Sequence, residues 1–246
     1  MIRLRKLIIV FILSVNGLFA QVTVELLTNA TEDYRPRMIN GQVQSMSVLQ
    51  TEYHDYINQA LYLSTDLILA NMVPGSSISE IGIKVYQVPG GNNLARDQVI
   101  NFRIAYATTS STTLSTFAAT TVVYGPIDIL NTDFTVGQWK MFTLDTPIVW
   151  NGTDNLIIEF SIDGVHFGNG GGVYNRQVSN RSLDGRSDSG HGPYPFAGIG
   201  VAALEFVPSL KITHNGPGIV IEPAAGISTT EAGASAMFTV QLNSAP

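Results

Sequence analysis

The side chains of this chain best equipped for acid–base chemistry are carboxylates and histidines in polar stretches, and their spacing assigns them no reaction. Asp154, Asp163, Asp184 and Asp188 fall in segments that read as loops. A glycosidase sets two such groups across a cleft, roughly 5–10 Å apart, and nothing here selects a pair. Turn-forming aspartates bonding nearby backbone are the favoured account of them. His54, His166, His191 and His214 lack an H-E-x-x-H or comparable ligand spacing. There is no G-x-S-x-G elbow and no cysteine, so nucleophilic catalysis has no candidate. The chain reads as a non-enzyme.

Binding chemistry has more material. Between Asp163 and Phe196, aromatic rings alternate with arginines and hydrogen-bonding groups, and Tyr174, Arg176, Arg181, Tyr194 and Phe196 are the candidate ligand-binding residues. His166, Phe167, Arg186 and His191 add to the same mixture. Sugars offer C–H faces to rings and hydroxyls to polar groups, so this composition suits a shallow glycan site. The competing expectation is that Tyr194 and Phe196 cover the edge of a sandwich while the arginines pair with aspartates. Asp163, Asp184 and Asp188, with Asn169, are oxygen donors that a structural calcium ion would take, although no D-x-D-x-D spacing is present.

These residues need a sheet to position them. From Trp139 to Asp163, two alternating runs flank Asn151-Gly152-Thr153-Asp154-Asn155. Leu156, Ile158, Phe160 and Ile162 fall on one face, Ile157, Glu159 and Ser161 on the other, and the pattern predicts a β-hairpin over a core. Further strands are expected at Val22–Leu27, around Ile78–Val85, around Phe102–Tyr106, at Val122–Tyr124, at Val201–Val207 and at Leu210–Ile212. Gln42–Tyr53 alternates only partly, Asn58–Thr65 suits a strand or a helical turn, and Asp66–Met72 is an apolar tail ending at Pro74-Gly75. Thr108–Thr121 reads as an ordered loop, and Gly164–Pro195 as the longest irregular stretch. Short strands with no sustained helical period predict an all-β fold, a jelly-roll β-sandwich.

The composition bounds the rest. A net charge of −6 and a pI near 5.1 give no basic footprint for nucleic acid. Arg3, Arg5 and Lys6, then Leu7–Val15, then Gly17-Leu18-Phe19-Ala20 form a secretory signal, with cleavage expected before Gln21 and no membrane insertion afterwards. An exported chain without cysteine depends on its core rather than on disulfides. The domains expected are a signal peptide at 1–20, a jelly-roll module at 21–215, a linker at 216–218, and the truncated start of a second β-sandwich at 219–246. That last part holds only two strand patterns, around Ile219–Ile221 and Phe238–Leu242, too few to bury a core.

Asn58–Leu67, Ser77–Tyr86, Val122–Gly125 and above all Trp139–Glu159 (W…FTLDTPI…WNGTDNLIIE) resemble jelly-roll modules of large secreted and surface proteins of Bacteroidetes-type bacteria. Those modules are related to cleaved-adhesin and carbohydrate-binding domains. Trp150 stands where they often carry tyrosine. From Gly218, GIVIEPAAGISTTEAGASAMFTVQLNSAP is similar to the opening of Calx-beta-like repeats. That family binds calcium, but only Glu222 and Glu231 fall in the matching stretch. The resemblances imply a non-catalytic, secreted or cell-surface adhesion or recognition module for carbohydrate or a protein surface. The alternative is an accessory targeting domain of a secreted peptidase or glycosidase whose catalytic domain lies outside this chain. A purely structural spacer in a stalk is the third reading.

Overall fold

A computed structural model describes residues 21–27, 37–39, 42–44, 48–51, 53–89, 98–164, 170–215, 219–222 and 239–242. The leader expected at 1–20, the linker at 216–218, and His166, Phe167, Asn169 and Glu231 lie outside the described residues.

The elements in order are β1 (Gln21–Leu26), β2 (Arg37–Ile39), β3 (Gln42–Gln44), β4 (Asp55–Tyr62), α1 (Ser64–Leu69), β5 (Ser77–Gln87), β6 (Gln98–Thr109) and β7 (Thr121–Leu130). They continue with β8 (Trp139–Val149), β9 (Asn155–Asp163), β10 (Gly172–Val173), β11 (Asn175–Ser187), β12 (Ala202–Pro208), β13 (Leu210–Asn215), β14 (Ile219–Glu222) and β15 (Thr239–Leu242). Two antiparallel sheets form an all-β sandwich. One has six strands in the order β12-β11-β4-β9-β6-β7; the other is built on β1-β13-β5, with β8 on the far edge of β5. β10 continues the β13 edge: Tyr174 N–H donates to Lys84 C=O, while Val85 turns its own N–H to Gln138 on the β8 side. From β4 to β9 the chain changes sheet at almost every connection.

The core follows from the alternation. Leu156, Ile158, Phe160 and Ile162 of β9 face inward with Tyr56, Ala60 and Tyr62 of β4, against Ile78, Ile81 and Ile83 of β5. Phe102 packs on Phe160 of its own sheet at 6.2 Å and on Phe142 of the opposite sheet at 5.0 Å between ring centroids. Such pairs add about 0.5–1.5 kcal/mol beyond area burial. Trp150 is fully buried, and its indole N–H donates to Asp154 C=O at 2.8 Å, closing the Asn151–Asp154 turn.

Several sequence expectations change. The Trp139–Asp163 strands are correctly placed but are no hairpin: β8 pairs with β5, and β9 pairs with β4 and β6 in the other sheet. The Asn-Gly turn is an arch between layers, held by Trp150 on one side and by Gly75 N–H donating to Trp150 C=O on the other. Alternation reports that a strand has an apolar face but not which sheet it joins. The stretch read as irregular contains β11, at 13 residues the longest of the described strands. Its Asn, Ser, Asp and Arg content hid it, because the β4 and β12 ladders rather than apolar alternation hold it. Asp66–Met72 opens as part of α1, where the Asp66 carboxylate accepts the Leu63 N–H at 2.9 Å. Among the described residues of Gln42–Tyr53, Gln42–Gln44 is the strand. β14 and β15 pair antiparallel in the two expected places, Ile219 opposite Leu242.

Candidate functional site

The sandwich has two outer faces, and they differ. On the six-stranded sheet, Asp55, Ile57, Gln59 and Leu61 of β4 and Ile157, Glu159, Ser161 and Asp163 of β9 point away from the core. Side chains from residues 110–120 and 188–200 cover this face. Leu114 packs with Leu61, Ile157 and Leu183; Phe196 packs with Ile57 and Ile199. At Gly185 the chain comes so close that a Cβ would stand 2.7 Å from Gly200 C=O and 3.1 Å from the Phe117 ring.

Glu159 lies at the centre of this covered face, 2% exposed. Its carboxylate accepts from Tyr194 O–H at 2.6 Å, Gln59 Nε2–H at 2.7 Å and Thr120 O–H at 2.9 Å. Gln59 completes the join to the first loop through both Ala118 backbone groups, each at 2.8 Å. Arg103 stacks on the Tyr194 ring at 4.9 Å. Burial raises the Glu159 carboxyl above its ordinary value, against the lowering effect of its three donors and of Arg103. Tyr194 is raised as well, first by burial and then by the Glu159 charge. Asp55 ties the second loop from the opposite side, accepting the His191 N–H. A carboxylate enclosed by three donors of its own chain is suited to fastening loops; it presents no free oxygen to a substrate.

The five candidate ligand-binding residues do not form one site. Tyr194 and Phe196 meet edge-to-face at 5.8 Å within the covered face, where they seal the sheet as the competing reading expects. Arg181 is enclosed near α1 with its Nη1 2.7 Å from Asp66, and Arg176 lies on β11 opposite Val207. Tyr174 alone of the five reaches the other outer face, that of the five-stranded sheet. The expected calcium donors Asp163 and Asp184 are not brought together either. Asp163 points outward, 3.9 Å from Arg103, while Asp184, opposite Asn58 on β11, points into the sandwich, so they share no ion. Asp188 lies past the end of β11. Among the described residues, no three of His, Cys, Asp or Glu converge on a common point.

The outer face of the five-stranded sheet carries a group that the loop-centred reading missed. Because Ile81, Ile83 and Val85 face the core, Gly82, Lys84 and Tyr86 face outward, and on β8 Trp139 and Met141 do likewise beside the inward Phe142. Tyr86 and Tyr174 meet edge-to-face at 5.6 Å. Lys84 Nζ lies 5.0 Å from the Tyr174 ring, and Lys211 Nζ lies 4.9 Å from the Trp139 ring. To get there from β13, Lys211 crosses β5 at Gly82, its register partner, where there is no side chain. Met141 Sδ occupies the same bare position, and a Cβ at Gly82 would collide with it. Lys211 also pairs with Glu25 of β1 at 3.0 Å. All three rings are partly exposed. The signal was available: Gly82, Lys84 and Tyr86, like Trp139 and Met141, are two residues apart and so share a face.

Among the described residues, no helix is long and apolar enough to cross a membrane. No family model matches the chain, and no curated protein or solved structure shows significant similarity to it.

Proposed function

We propose that this chain is a non-catalytic recognition module that binds carbohydrate on the outer face of its five-stranded sheet. The observation that carries the reading is the group of Trp139, Tyr86 and Tyr174, three partly exposed rings interleaved with Lys84 and Lys211 on one sheet face. Partly exposed rings receive the C–H faces of sugars, and ammonium groups beside them donate to hydroxyl and ring oxygens. Strands carry Trp139, Tyr86, Lys84 and Lys211, and Tyr174 sits between β10 and β11; side chains on strands are held more rigidly than those on loops, which lowers the ordering cost of binding. The enclosure of Glu159 favours recognition over catalysis. The leader-like start of the chain and its resemblance to surface-protein modules fit a role outside the cell, in adhesion.

Tryptophan fluorescence tests the reading, because the chain's two tryptophans differ in environment. Trp150 is buried, whereas Trp139 is partly exposed. A glycan seated on the face shields Trp139 from acrylamide, and that shielding disappears in Trp139→Phe. A panel of soluble plant, algal and animal polysaccharides that leaves quenching unchanged throughout contradicts the proposal.

A further inference from the structure

We infer that the ligand of this face is an anionic glycan, one bearing carboxylate or sulfate groups; the inference rests on the recognition reading above. A surface for neutral sugars needs rings with amide and hydroxyl partners. Here the charged side chains beside the rings are lysines; Glu80, outward on β5 on the other side of Gly82, accepts the Thr143 O–H at 3.2 Å. Beyond Lys6, the chain's lysines are Lys84, Lys140 and Lys211, and two of them stand on this one face of a chain whose net charge is −6. Lys84 and Lys211 are diagonal neighbours on β5 and β13, so their Cα atoms lie roughly 7–8 Å apart. They lean in opposite directions, Lys84 to Tyr174 and Lys211 across Gly82 to Trp139. Each ammonium is therefore held beside a ring on which a sugar would stack. An acidic substituent of that sugar meets a fixed positive charge, whereas a hydroxyl meets one of three donors.

Glu25 does not cancel this. Its backbone is on β1, with β13 and β5 between it and Trp139, and only its carboxylate, on a side chain 38% exposed, reaches Lys211 Nζ, at 3.0 Å. Exposed pairs of this kind contribute only about 0–1 kcal/mol, so a ligand anion can compete for the same ammonium while Glu25 returns to water. The same exposure makes the preference sensitive to salt, because such charges are screened beyond roughly 8–10 Å at physiological ionic strength.

Matched polymer pairs isolate the charge: carboxymethyl cellulose against hydroxyethyl cellulose, and dextran sulfate against dextran. In affinity electrophoresis of the full chain, the charged member of at least one pair should bind about tenfold tighter or more, a preference that added salt erodes. Lys84→Met/Lys211→Met should abolish it with the circular dichroism spectrum and melting temperature retained. Lys140→Met, which removes one positive charge beside Phe134 and Phe142 rather than beside the rings of this face, should leave it intact. Equal retention of charged and neutral partners, lost in Trp139→Ala, overturns the anionic assignment and leaves the recognition reading standing. Equal loss per charge removed in Lys140→Met and in the double variant marks general polyelectrolyte attraction and also overturns it. Retention of none of the four polymers nor of any in the fluorescence panel overturns both.

Discussion

Gly185 and Gly82 are both bare positions on the outward side of a sheet, and what fills each one separates the two faces of this molecule. Gly185 is covered by backbone and an aromatic ring, Gly200 C=O and Phe117, belonging to loops fastened through Glu159, Gln59 and Asp55. Gly82 is covered by the tip of one flexible side chain, Met141, and crossed by one lysine. The first face is finished as interior, with polar groups satisfied internally. The second is left as surface, with rings and charges held apart by strand spacing. Loops drawn over a sheet are therefore no guide to where a sandwich binds; here the aromatic loop residues Tyr194 and Phe196 are used up in closure.

Glu159→Ala breaks the comparison most severely, because it strands the donors of Tyr194, Gln59 and Thr120 beneath two loops. A loss of roughly 1–3 kcal/mol for each donor left without its acceptor is expected in urea unfolding. Gly185→Val comes next at about 1–3 kcal/mol, the cost of overpacking a site that backbone already fills. Faster proteolysis within residues 188–200 should accompany it. The equivalent change on the other face, Gly82→Val, collides first with the flexible Met141 tip and meets backbone, Lys140 C=O, only at 3.3 Å, so it should cost less than Gly185→Val while weakening glycan binding.

The titration of Glu159 sharpens the contrast through pH. Burial raises its folded carboxyl above the ordinary 4.5, so the neutral form is the one that folding favours. Its contribution is complete below that ordinary value and is lost as pH rises through the folded one. Glu159→Gln removes this dependence. Relative to that variant, the wild-type chain should lose thermal stability as pH is raised from the carboxylate range towards neutrality. The smallest stability effect belongs to the open face: Tyr86→Ala and Tyr174→Ala should each change unfolding free energy by about 1 kcal/mol or less, the scale of one exposed ring–cation or ring–ring contact.

How much of this was legible follows the physics of each segment. The alternation of Leu156, Ile158, Phe160 and Ile162 gave both strand and core face, because a two-residue period is all that burial on one side requires. Its partner strand could not be read from the same pattern, and β8 and β9 prove to lie in opposite sheets. Ile157, Glu159 and Ser161 are buried as well, since loops far away in sequence close over them. β11 was missed because Asn175, Ser182 and Asp184 are buried polar groups within a backbone ladder, which composition reports as a loop. Of the candidate site, Tyr174 was found by its type, whereas Trp139, Tyr86, Lys84 and Lys211 sit in strands whose outward positions become a surface only when β5, β8 and β13 are brought side by side. Pairing across long sequence separations is the step that local pattern does not encode.

The central claim is that binding belongs to the open face and not to the covered one, and paired variants test it directly. Retention of the full chain on carboxymethyl cellulose should fall about tenfold or more in Trp139→Ala and stay at the wild-type level in Tyr194→Phe, which loses only the hydroxyl bonded to Glu159. Retention lost in Tyr194→Phe and kept in Trp139→Ala, with both variants folded, would place recognition under the loops and contradict the account.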